Sequence, residues 1–122
     1  MGFKLGSEGR GFKNSTNTSV NKKDPGDGAL AQANMDGSID VDPSIPIDSP
    51  LGRRIIKHEQ CHIDQIESGR AAYGDNWVMW EGKTYIRKKE NGVSVIDGPN
   101  GRWPEGHANH PWEAEAIQAE YK

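Results

Sequence analysis

The sequence predicts a small α+β domain preceded by an extended N-terminal arm, and three observations carry that prediction. The segment 50–68 repeats apolar residues at helical spacing and contains His58-Glu59-Gln60-Cys61-His62. A second segment, beginning at Pro111, is rich in alanine and glutamate and reads as a later helix. Before and between them lie short alternating runs punctuated by Gly, Pro and Asn, the pattern of short antiparallel strands.

Residues 1–30 are read as the arm and 31–122 as the folded domain. The arm is Gly-rich, carries a Ser/Thr/Asn run from Asn14 to Ser19, and has few large hydrophobes beyond Phe3, Leu5 and Phe12. It is also basic over residues 1–23, with Lys4, Arg10, Lys13, Lys22 and Lys23 against Glu8. The whole chain has a net charge of -3, so its acidic excess lies in the folded part and the arm is suited to an acidic neighbouring surface. Nucleic acid is not the expected partner, because no groove-reading motif accompanies the arm.

Gly37-Ser38-Ile39-Asp40-Val41-Asp42 alternates as a strand should, and Pro43 to Pro50 connects it to the first helix. Ser49 is the expected N-cap, Pro50 suits the first turn, and Ser68-Gly69 offers a stop. On this helix Leu51, Ile55, Ile56, Ile63 and Ile66 form an apolar arc, with His58 and His62 at its edge. Trp77–Trp80 and Thr84–Arg87 flank Glu81-Gly82-Lys83 as a hairpin, and Val93–Ile96 after Asn91-Gly92 is a further strand. Residues 97–101 and 102–109 are expected as loop leading into the last helix. The four tryptophans are expected to fill much of the core.

The chemistry lies in H-E-x-x-H. Two histidines four apart stand about one helical turn from each other, so their rings can converge on one ion, and Glu59 between them can reach a water on that ion. A catalytic tetrahedral zinc needs a third protein ligand. Glu113 in Glu113-x-x-Ala116 is the candidate, because the small Ala116 lets the last helix come close. Glu115 points away by about 200 degrees. His107 and His110 compete for the same role from the preceding loop, where a ligand is held less firmly.

His58-Glu59-x-x-His62, followed much later by Pro111-Trp112-Glu113-x-Glu115-Ala116, resembles small gluzincin-type metallopeptidase domains, in which a glutamate on a later helix completes the two histidines. The segments Gly2–Ser7, Ala33–Ile39, Ser44–Pro46 and Gly82-Lys83-Thr84-Tyr85-x-Arg87 extend the likeness, which covers nearly the whole chain, to small H-E-x-x-H proteins of tailed bacteriophages. Cys61 stands in the motif where an apolar residue is more usual. The resemblance implies a zincin-like fold, a zinc ion, a peptide or protein substrate and a place in a virion assembled from protein made in the host cytoplasm. In that setting the arm would contact other virion proteins.

In the expected mechanism His58, His62 and Glu113 hold zinc, and Glu59 is the general base that later protonates the leaving amine. The oxyanion needs a further donor, and Tyr73, Tyr85, His107 and His110 are the candidates, among which the sequence does not choose. The rival expectation is a structural virion component, of head, neck or tail, whose zinc only stabilises a small fold. Asp64 and Gln65 are placed to orient a ligating ring, although Asp64 falls on the polar face. Neither a membrane span nor the apolar centre of a signal peptide is evident, and P-loop, dinucleotide and serine-elbow motifs are lacking. The single cysteine excludes an internal disulfide, and burial is expected for it.

Overall fold

Two helices and two sheets make up the α+β architecture of the computed structural model, which describes residues 3–5, 19–26 and 29–122. The first sheet contains β1 (Phe3–Leu5), β2 (Val20–Lys22), β3 (Ala31–Ala33) and β4 (Ile39–Val41), in the order β1-β3-β4-β2. β3 and β4 form an antiparallel hairpin, while β1 runs parallel to β3 and β2 parallel to β4. Two strands from the segment expected as an arm therefore flank this hairpin. Asp36 shapes its turn, where Oδ1 accepts from the Ser38 amide at 3.0 Å and the Ser38 hydroxyl at 2.6 Å.

The helix α1 (Pro50–Glu67) begins as its sequence predicts. Ser49 Oγ accepts from the Gly52 amide at 3.0 Å, and Pro50 occupies the first turn, where its missing N–H costs nothing. Its buried face holds Gly52, Ile55, His58, Glu59, His62, Ile63, Gln65 and Ile66. Leu51 is exposed and Ile56 half-buried, so the apolar arc is displaced toward the histidines. The motif residues thus sit inside the buried face.

The second sheet is an antiparallel meander of β5 (Ala71–Gly74), β6 (Trp77–Trp80), β7 (Lys83–Glu90), β8 (Val93–Gly98) and β9 (Gly101–Pro104) in sequential order. Asn91 and Gly92, at φ 53 and 79, form the left-handed pair that joins β7 to β8 with the twist two paired strands require. β9 corrects the expectation of loop over 102–109. Pro99-Asn100 is a two-residue turn between Gly98 and Gly101, which pair directly, and Arg102 Nε donates to Asp97 Oδ1 at 2.8 Å across the ladder. Strands β3 and β5 also went unread, because alanine favours strands weakly and their stability comes from neighbours.

The helix α2 (Pro111–Ala119) closes the fold against α1. One core joins all layers, with Ala33, Ile39 and Val41 of the first sheet, Ile55, Ile63 and Ile66 of α1, Val78, Trp80 and Ile96 of the second sheet, and Trp112 of α2. Two tryptophans, Trp80 and Trp112, are buried with ring centroids 5.9 Å apart, whereas Trp77 and Trp103 are half-buried. No described helix is long and apolar enough to cross a membrane.

Gly52 is the tightest point of this packing, since a Cβ there would stand 2.1 Å from Pro46 O and 2.7 Å from Ile47 O. Alanine usually stabilises a helix interior relative to glycine, but here the backbone of the preceding turn must move. Gly52→Ala is expected to destabilise the protein by about 2 kcal/mol, read from the midpoint of urea unfolding. An unchanged or raised midpoint would show that this turn yields freely.

Candidate metal centre

The spacing of H-E-x-x-H on α1 stacks His58 and His62 one turn apart, with ring centroids 5.0 Å apart and planes inclined at 66°. α2 supplies what lies between them. Trp112 is anchored in the core and stacks on His110 at 4.7 Å, which fixes the first turn of α2. Ala116, fully buried, allows the two helices to approach as the sequence predicts. Glu113 then sets Oε1 2.9 Å from His58 Nε2 and Oε2 3.2 Å from His62 Nε2. All three side chains are at most 2% exposed.

Their ligand atoms lie within 4.8 Å of one another, the one group among the described residues arranged to hold a metal ion. Tetrahedral N and O ligands at ordinary bond lengths stand about 3.3 Å apart, so small shifts of these side chains would suffice to enclose a cation. The donor set also fits: two imidazoles and one carboxylate suit a divalent metal that accepts mixed N and O ligands.

Each histidine is held from behind. His58 Nδ1 lies 2.7 Å from Glu120 Oε2, and His62 Nδ1 lies 3.0 Å from Gln65 Oε1. Gln65 is in turn fixed by its amide, which donates to Trp112 O and to Glu115 Oε1, both at 3.1 Å. Of the two orienting candidates on α1, Gln65 reaches a ring, whereas Asp64 accepts from Gln60 on the surface. Glu120 escaped the sequence reading. Its signal was present, since seven residues separate it from Glu113 and two helical turns place both on one face.

The electrostatics follow from burial and from these pairs. Burial opposes charge on His58, but hydrogen bonds and proximity to Glu113 and Glu120 outweigh it and raise its pKa. Burial likewise opposes charge on Glu113, and the two imidazoles overcome it, holding the carboxyl below its ordinary value. Glu59 is different. It is 1% exposed, Oε1 has no hydrogen-bond partner among the described residues, and burial followed by the nearby Glu113 and Glu120 pushes its pKa well above the usual carboxyl range.

The remaining candidates lie elsewhere. His110 is fully buried and stacked on Trp112, with Nε2 3.1 Å from Trp103 O, and burial lowers its pKa, so it is a neutral packing group. His107 stacks on Trp103 at 4.5 Å and accepts from the Asn109 amide at 3.0 Å. The His58, His62 and Glu113 group includes neither. The Tyr73 hydroxyl donates to Ala33 O at 2.8 Å, and its ring, with His62, Gln65 and Trp112, lines a cavity of ≈ 10 Å³. That volume holds roughly one water. Tyr85 is partly buried and packs against the core.

Cys61 is half-buried, more open than expected, beside Gln65 Nε2 at 3.8 Å. Burial, aided by Glu115 and Asp64, pushes its thiol up to about 11. Only the thiolate is nucleophilic, so at pH 8 Cys61 should react with iodoacetamide about 100-fold more slowly than a thiol of ordinary pKa, the rate rising toward pH 11. A rate equal to that of a model peptide thiol would contradict this environment. No known protein family, curated protein or solved structure matches the chain.

Proposed function

We propose that this fold, to whose first sheet β1 and β2 also contribute, is a gluzincin-like zinc metallopeptidase domain, with zinc held by His58, His62 and Glu113 and with Glu59 as the general base. The observation that carries this reading is Glu59. A metal site that only stabilises a fold has no use for a buried carboxylate with an unpartnered oxygen one residue from a ligand, because leaving such a group unsatisfied costs roughly 1–3 kcal/mol or more. General-base chemistry does use one. Zinc bound there supplies electrophilic catalysis, polarising a carbonyl and lowering the pKa of a coordinated water.

The residues around the ion then divide the work. The carboxylate of Glu113 offsets part of the positive charge and holds α2 in place. Glu59 accepts the proton of the attacking water and returns it to the leaving amine, a role that its proton affinity, raised by burial and by Glu113 and Glu120, favours. Glu59 lies in the negative potential of Glu113 and Glu120, part of which a cation held by His58, His62 and Glu113 would offset. The likeness to tailed-phage proteins supports a virion setting, with other virion proteins as partners and a peptide or protein of the particle or of the cell wall as substrate.

A second reading has its own support. His58, Glu59, His62 and Glu113 are all at most 2% exposed, and a closed site of that kind suits a zinc ion that stabilises a virion component.

The two readings part at Glu59, which is not a ligand in either. Glu59→Gln should retain zinc by elemental analysis while cleavage of casein falls about 100-fold or more, and Glu113→Ala should lose the metal. Full cleavage by Glu59→Gln would eliminate the proposed base. A zinc-loaded chain that cleaves nothing would favour the structural reading.

A further inference from the structure

We infer that Glu120 is a positioning residue of the metal centre: its carboxylate makes Nδ1 the protonated nitrogen of His58 and thereby leaves Nε2 to face the cation. The inference rests on the reading of His58, His62 and Glu113 as ligands and goes beyond it.

Glu120 stands at the C-cap of α2, where the helix dipole disfavours a negative charge, and only 6% of it is exposed. A carboxylate persists in such a place when something opposite holds it. Two groups do so: His58 Nδ1 at 2.7 Å from Oε2 and Arg54 Nη2 at 3.1 Å from Oε1. An ionised carboxylate can only accept, so the nitrogen beside it carries the hydrogen. Glu113 Oε1, 2.9 Å from Nε2, competes for a hydrogen in the same way, so the assignment is one for the loaded site: a cation held between Nε2 and Glu113 would take the Nε2 lone pair, and the single N–H of the neutral ring then falls on Nδ1, against Glu120.

His62 reaches the same orientation by different chemistry. Its Nδ1 donates to the neutral amide oxygen of Gln65, whose NH2 group is engaged elsewhere. One ligand ring is therefore backed by a charge and the other by a dipole. The carboxylate-backed ring is the stronger electron donor, so His58 is the dominant imidazole ligand and Glu120 the residue that makes it so.

The test compares zinc affinity, by competition with a chromogenic chelator, and the imidazole 15N shifts of both histidines in the zinc-loaded chain and in Glu120→Gln and Glu120→Ala. Zinc should bind about 10- to 100-fold more weakly in the variants, more so in Glu120→Ala. The ring nitrogens of His58 should shift while those of His62 stay in place, which a general loosening of the fold would not produce. Unaltered affinity in Glu120→Gln, whose shape is conserved even if Glu120→Ala fails to fold, would overturn the inference. So would equal shifts of both rings. If the unchanged chain takes up no zinc, the ligand reading itself falls; if it does and the variants match it, only the role of Glu120 falls.

Discussion

A single carboxylate shared by two imidazoles is the contact on which the rest of this structure depends. Glu113 is fully buried, and burying a lone carboxylate is among the costliest things a small protein can do. The cost is offset only because one oxygen lies against each motif histidine. The separation and rotation of α1 and α2 are therefore set by polar geometry at the centre of their interface, and the apolar contacts around it must conform. Ala116 follows from that demand, since a larger side chain there would keep the two helices from the distance the polar pairs require; Gly52 instead lets the turn at Pro46 and Ile47 pack against the start of α1.

α1 serves packing and chemistry with one surface. Ile55, Glu59, His62 and Ile66 follow one another along its buried face, so isoleucine layers lie on either side of the ionisable ones. This arrangement lowers the local polarity around Glu59 and the histidines and strengthens the charge interactions among them; burial itself raises the pKa of Glu59, whereas the pairing with carboxylates raises that of His58 and the pairing with imidazoles lowers that of Glu113, both against burial. The tryptophans extend the same logic. Trp112 touches the core, stacks on His110, and offers its carbonyl to Gln65, which in turn holds His62. Core packing is thereby coupled to the orientation of a candidate ligand through two hydrogen bonds.

Burial bears on both readings of the site. It makes Glu59 a strong proton acceptor and excludes bulk water, which favours chemistry, and it closes the approach to the histidines, which favours a fixed ion. A small cavity beside His62 and Tyr73 abuts a candidate ligand, with room for roughly one water.

Much of the candidate site was legible in the chain itself, because its signals are local. The cap at Ser49, the histidines one turn apart, the proline that starts α2 and the small residue at Ala116 depend on periods and caps that a helix imposes on its own sequence. The hairpin turns at Gly82 and Asn91-Gly92 were readable for the same reason. The strands Ala31–Ala33, Ala71–Gly74 and Gly101–Pro104 were not, since alanine- and glycine-containing strands owe their existence to partners across the ladder. Tertiary structure alone decided that Glu113 rather than His107 or His110 meets the motif, and that Glu120 and Gln65 back its two rings. Those outcomes turn on how α2 docks across α1, a long-range arrangement set by burial and charge pairing, of which sequence spacing carries only the helical face.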